Sequence, residues 1–157
     1  MKDLTHLNES GIANMVDVSD KLNTKRIAIA ECKLSFPADI SLVFENGDIM
    51  TKKGGVIQTA TIAGIMGAKN TSNLIPLCHQ IPLDNCDIDM QFDDNTLTIS
   101  CKVTTTSKTG VEMEALTGCT IAALTVYDMC KAMSHEILIQ QTRLIHKSGG
   151  KSEYNAQ

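Results

Sequence analysis

Between Lys108 and Met133 the chain reads KTGVEMEALTGCTIAALTVYDMCKAM, with helical spacing throughout and no proline. A run of that kind commits the chain to a long helix, and a helix with a broad apolar face needs a second layer to cover it. At about 100° per residue, Leu116, Cys119, Ala122, Ala123, Val126, Met129, Cys130 and Met133 gather on one face, the predicted core side. Thr109 followed by Glu112 fits a capping box at the helix start. Opposite the core side, Glu114, Thr117, Gly118, Ile121, Thr125 and Asp128 form a second stripe, with Lys131 one turn beyond Asp128. An Asp and a Lys three apart are neighbours on a helix, and an ordinary solvated ion pair is the plain reading. The small residues of this stripe also admit close approach by another body.

Strand patterns surround the helix. Arg26 to Ser35 alternates, as do Asp87 to Phe92 and Thr96 to Val103, the last two separated by Asp93-Asp94-Asn95 in a predicted hairpin. Ile137 to Ile145 reads as a final strand. Gln58 to Lys69 carries Ile62, Ile65 and Met66 at helical spacing, whereas Pro76 and Pro82 make LIPLCHQIPL an ordered apolar loop. Pro37 and the run Glu45-Asn46-Gly47-Asp48 mark loops or turns. The order strand, helix, strand, strand, helix, strand predicts an α+β chain of the ferredoxin-like, split βαβ kind, with helices on one face of an antiparallel sheet. We expect a single domain over 1–157, with a loosely held arm over about 1–25 and a flexible tail over about 147–157.

Composition removes several function classes. A formal net charge of −4 argues against generic nucleic-acid or anionic-membrane binding, so any anion site must be local. Aromatic residues are 3% with no Trp, too few for base-stacking platforms. The polar opening MKDLTHLNES and the lack of a long apolar run lead us to expect a cytoplasmic protein with no membrane partner. The six cysteines include no CxxC and mostly alternate with core positions, so buried free thiols are expected and no metal site is written.

Three local signals carry chemistry. Lys147-Ser148-Gly149-Gly150-Lys151-Ser152 sets two cations around a diglycine, a composition that wraps phosphate with ammonium groups and backbone N–H donors. It is no P-loop, since Ile145 stands where glycine is needed and too little chain follows Ser152 for the receiving helix. Lys52-Lys53-Gly54-Gly55 repeats the theme, with a charged hairpin turn as its plain alternative. His79 in its proline-bounded loop is either a satisfied core group or a ligand-facing donor. Together they offer Arg26, Lys53, Lys131, Lys147 and Lys151 to a polyanion, and Glu112, Glu114 and Asp128 to amines or proton transfer. A nucleotide-like ligand suits that set.

The segments LTHLNESGIANMVDVSDK, ATIAGIMGAK, LIPLCH, KTGVEMEALTGCTIAALTVYDMCKAM and KSGGKS resemble, in order and spacing, the molybdenum cofactor biosynthesis protein C (MoaC) family, the cyclic pyranopterin monophosphate synthases. The resemblance spans nearly the whole chain. It implies a ferredoxin-like lyase of molybdenum cofactor biosynthesis that assembles as a hexamer, a trimer of dimers, with active sites at subunit interfaces. It implies a GTP-derived substrate, (8S)-3′,8-cyclo-7,8-dihydroguanosine 5′-triphosphate, supplied by a preceding radical GTP cyclase and converted to cyclic pyranopterin monophosphate and pyrophosphate. By resemblance the catalytic positions are Asp128 and Lys131, and Leu77, Cys78, His79, Met113 and Glu114 contact substrate. Arg26, Lys53, Glu112 and Lys147 match further polar site positions, and Lys151 joins them from its place beside the diglycine. No resident cofactor is implied; Mg²⁺ is compatible with the pyrophosphate leaving group, although no carboxylate cluster calls for it. The chain departs from the family pattern at QTAT before the first helix, at IQQTRLIH and at SEYNAQ, which leaves the tail's contacts open. Two readings of another class stand beside this one. A nucleotide-binding regulatory module has little use for a carboxylate among its cations, and a structural oligomer would tolerate loss of Asp128.

Overall fold

The computed structural model describes residues 10–40, 42–45 and 47–157. Its elements run β1 (Thr24–Ser35), β2 (Val43–Glu45), β3 (Asp48–Thr51), β4 (Gly54–Gly55), α1 (Val56–Lys69), α2 (Thr71–Leu74), β5 (Asn85–Asp93), β6 (Thr96–Ser107), α3 (Glu112–Cys130), β7 (Leu138–Ser148) and β8 (Tyr154–Asn155). Five strands form one antiparallel sheet in the order β5-β6-β1-β7-β8. Setting aside β8, this is the strand order of a split βαβ fold, as expected. A separate three-stranded sheet, β2-β3-β4, stands before α1.

Alternation explains the sheet. In β1 the side chains of Ala28, Ala30, Cys32 and Leu34 are buried while their neighbours are only half-buried, and β6 repeats this with Leu97, Ile99, Cys101 and Val103. The inward side chains of β1 are mostly small, which lets α3 lie close against the sheet through Ala115, Cys119, Ala122, Ala123 and Val126. β5, an edge strand, presents Asp87, Asp89 and Asp93 outward, and charge there discourages pairing with another chain's edge.

The second stripe of α3 is not an outer surface. Gly118 packs against Gly64 of α1, a Cβ there lying 3.3 Å from the Gly64 carbonyl oxygen, and one on Gly67 would come within 2.8 Å of the Ile121 Cβ. The close approach expected of those small residues is therefore made by α1 of the same chain. Met133, placed on the core side, is 40% exposed because α3 ends at Cys130. The capping box does not form either. Val111 holds the N-cap position with no side-chain cap, and the Glu112 carboxylate accepts from Lys147 Nζ at 3.0 Å. A nonlocal cation outcompetes the local backbone.

Both chain ends are tied into the fold where the description reaches them. Residues 1–9 of the N-terminal arm lie outside the described residues, and of the rest, the carbonyl of Val16 accepts from His79 Nε2 at 2.8 Å and that of Ser19 from Lys108 Nζ at 2.7 Å. Lys147 and Ser148, expected in a flexible tail, lie within β7, and β8 pairs back on it through His146↔Asn155 and Lys147↔Tyr154. Gly149 makes the return with φ +82°, a conformation that favours glycine, and a Cβ there would collide with the Lys25 carbonyl. All six cysteines are free, as expected, and among the described residues no helix is long and apolar enough to cross a membrane.

Candidate functional site

Where β1 begins, β7 ends and α3 starts, two cavities share a rim. The first, about 360 Å³, is lined by Lys21, Arg26, Lys108, Lys147 and Lys151 with Glu112 as its one acid, and by Thr109-Gly110-Val111, Ser148, Gly150 and Ser152. The second, about 390 Å³, is more apolar and is bounded by Val16, Val18, Leu77, Cys78, His79, Ile81, Met113 and Glu114. Lys21, Thr109, Gly110, Glu112 and Lys151 line both, so one elongated ligand can occupy the pair. Each volume lies within the range of small-molecule sites.

Sequence dictates each placement. Arg26 alternates inward from β1, and Nη2 donates to the carbonyl of Lys108 at 3.2 Å. The diglycine lets the tail lie directly on that guanidinium, since a Cβ on Gly150 would sit 2.9 Å from Arg26 Nη1. Pro76 and Pro82 keep Leu77, Cys78 and His79 out of helix, facing the first turn of α3. His79 is half-buried rather than a core group. Its Nε2 donates to the Val16 carbonyl and its ring lines the cavity.

Charge is graded along this pair of cavities. Glu114 is buried, and desolvation raises its pKa from 4.5 to about 7, with a further upward push from Glu112 and an opposing one from its own backbone N–H. Burial pushes the Cys78 thiol up, helped by Glu114, so it is no thiolate nucleophile. The first cavity is cationic, and the second sets apolar walls around one carboxyl group.

Asp128, Lys131 and Lys53 stand elsewhere. Asp128 Oδ1 accepts from Lys131 Nζ at 2.6 Å, and Oδ2 accepts from Lys53 Nζ at 2.8 Å. Lys53 reaches it from the β3–β4 turn and also donates to the Asp128 carbonyl at 3.0 Å. Hydrogen bonds from Lys131 and then Lys53, reinforced by their charges, lower the Asp128 pKa to about 2, and Asp128 in turn raises that of Lys131. All three are about half exposed, where ion pairs add little stability. Beyond the tie that Lys53 makes to the last turn of α3, the cluster thus contributes little to stability.

The structure thus gathers Arg26, Leu77, Cys78, His79, Glu112, Met113, Glu114, Lys147 and Lys151 at one end of α3, and Lys53, Asp128 and Lys131 at the other. Glu114 and Asp128 are fourteen positions apart, roughly 21 Å along a helix at ~1.5 Å per residue. Sequence reasoning missed Lys21 and Lys108. Lys108 directly precedes the α3 entry and was within reach of it; Lys21 lies in the polar arm, where only the fold reveals a site. Among the described residues no group of three or more His, Cys, Asp or Glu side chains is arranged to hold a metal ion.

Comparison with known proteins gives a consistent picture. A family model described as MoaC family matches residues 15–150. A Xanthomonas campestris pv. campestris protein named cyclic pyranopterin monophosphate synthase is 48% identical over 154 residues, covering 98% of this chain and 93% of its own length. One of the same name from Brevibacillus brevis is 52% identical over 150 residues, covering 95% and 92%. Molybdenum cofactor biosynthesis protein 1 of Dictyostelium discoideum is 45% identical over 168 residues, covering 96% of this chain but 27% of that longer protein.

Proposed function

This chain belongs to the MoaC family, and we propose that it is a cyclic pyranopterin monophosphate synthase of molybdenum cofactor biosynthesis. It converts (8S)-3′,8-cyclo-7,8-dihydroguanosine 5′-triphosphate to cyclic pyranopterin monophosphate and releases pyrophosphate. The observation that carries this reading is the joined pair of cavities, one cationic and one apolar with a buried carboxyl group. A triphosphate joined to a guanine-derived ring has that same division of character.

The residues divide the chemistry. Lys147, Lys151, Arg26, Lys21 and Lys108 neutralise the phosphates, and positive charge on the departing pyrophosphate lowers the barrier to its expulsion as the cyclic phosphate closes. Ring opening and re-closure require protons to be given and taken. With Asp128 ionised and Lys131 protonated at neutral pH, Lys131 is the proton donor and Asp128 the carboxylate that holds it in place. Among the described residues no carboxylate cluster is arranged to hold Mg²⁺, and an ion that assisted the leaving group would be carried by the phosphates.

One chain cannot bring both clusters to one nucleotide across about 21 Å of helix. The site is therefore completed by a second chain whose Lys53, Asp128 and Lys131 face the first chain's cavities. A two-fold dimer does this twice, and the hexamer of three such dimers is the assembly we propose. Large apolar side chains left exposed on the helices, Ile62 at 61%, Met66 at 57% and Leu124 at 50%, support burial against other chains. On this reading the protein works in the cytoplasm, on a substrate that a radical GTP cyclase supplies.

The test is incubation of the purified protein with the cyclised dihydro-GTP, followed by analysis for pyranopterin and pyrophosphate. Both products should form in equal amounts, and Asp128→Asn and Lys131→Ala should each nearly abolish turnover with oligomer size unchanged. Unaltered substrate, or full activity in either variant, would refute the assignment.

A further inference from the structure

Lys53 reaches Asp128 from a two-residue turn, and a long, flexible ammonium side chain holds a partner reproducibly only when its own backbone is held. Thr51 supplies that restraint. Its hydroxyl donates to the Gly54 carbonyl and accepts from the Lys53 backbone N–H, each at 3.1 Å, so a single oxygen spans the turn. Gly54 has φ +105°, which favours glycine, and pairs with Thr51 across the turn.

The base of the same hairpin is anchored independently. Asp48, at the start of β3 and only 6% exposed, accepts from the backbone N–H of Ile57 at 2.6 Å and of Gln58 at 3.2 Å, capping α1 from outside the helix. Gly55 is closed over it, since a Cβ there would collide with Oδ2. Hairpin and helix thus form one rigid piece, and the remaining freedom lies at the tip, where Thr51 acts.

We propose that Thr51 is a positioning residue of the Asp128 cluster: its hydroxyl fixes the turn conformation from which Lys53 engages the Asp128 carboxylate. The proposal rests on the reading of Asp128 and Lys131 as catalytic. Neither cavity includes Thr51, and its hydroxyl bonds to Gly54 and Lys53 stay within the turn, so it acts through Lys53.

The experiment compares turnover and thermal unfolding of the wild-type protein with Thr51→Val, Thr51→Ser, Lys53→Met and the double variant Thr51→Val/Lys53→Met. Valine keeps the shape and removes the hydroxyl; serine keeps the hydroxyl. Thr51→Val should lower turnover on the order of tenfold, as for a group displaced but still present, with Tm nearly unchanged. Thr51→Ser should restore most of the activity, and the double variant should be no worse than Lys53→Met alone. Should the valine variant unfold, Thr51→Ala carries the same comparison. Equal losses from Thr51→Val with and without Lys53, or full activity in Thr51→Val beside an impaired Lys53→Met, would overturn the positioning role. A fully active Lys53→Met would instead overturn the reading of the Asp128 cluster, and the proposal with it.

Discussion

Glu114 sits on the first turn of α3 with 5% of its surface exposed, and ionising it there carries a desolvation cost that the unfolded chain does not bear. The sign follows from linkage. Below pH 4.5 the group is protonated in both states; as pH rises toward about 7 the unfolded chain ionises first, so stability falls over that window and levels off above it. Thermal unfolding followed from about pH 5 to about pH 8 should show a steeper decline for the wild-type protein than for Glu114→Gln. Parallel profiles would show that Glu114 is ionised in the folded protein across that range. Asp128 is the opposite case, ionised at every pH in this window because Lys131 and Lys53 stabilise the charge. Residue identity announced the Asp128–Lys131 pair, three apart on a helix. It could not announce Lys53 as its second cation or Lys147 as the partner of Glu112, since both contacts depend on chain brought back from far along the sequence.

At the scale of elements, the long strands and both long helices were legible because period and length agree. β1 and β6 bury alternate residues, β5 half-buries them, and α1 and α3 lack internal prolines. The short sheet β2-β3-β4 was not legible as strands, since strands of two to four residues show no period. Nor was the cover of the second stripe of α3, because small residues say that something approaches without saying what. It is α1, and the packing is tight. Gly67→Ala would gain about 1 kcal/mol in helix propensity, yet its new methyl must displace the Cβ of Ile121, 2.8 Å away. Overpacking of that kind costs about 1–3 kcal/mol. We expect net destabilisation in denaturant titration, with secondary structure retained; a stabilised Gly67→Ala variant would mean that α1 and α3 are free to move apart.

For the whole molecule, α3 is a spacer as well as a core element. Its length holds the paired cavities at one end and the Asp128 cluster at the other, farther apart than one nucleotide-sized ligand spans. Family resemblance pointed to the residues of both groups, and with helix geometry it leads to the site shared between two chains that we propose. The corresponding measurement uses Glu114→Gln and Asp128→Asn chains, each first shown to be inactive alone, co-expressed with distinct tags and purified as mixed dimers. One of the two sites in such a dimer contains both lesions and the other contains neither, so roughly half of the wild-type activity per dimer should return. Mixed dimers as inactive as their parents would contradict a site shared between chains.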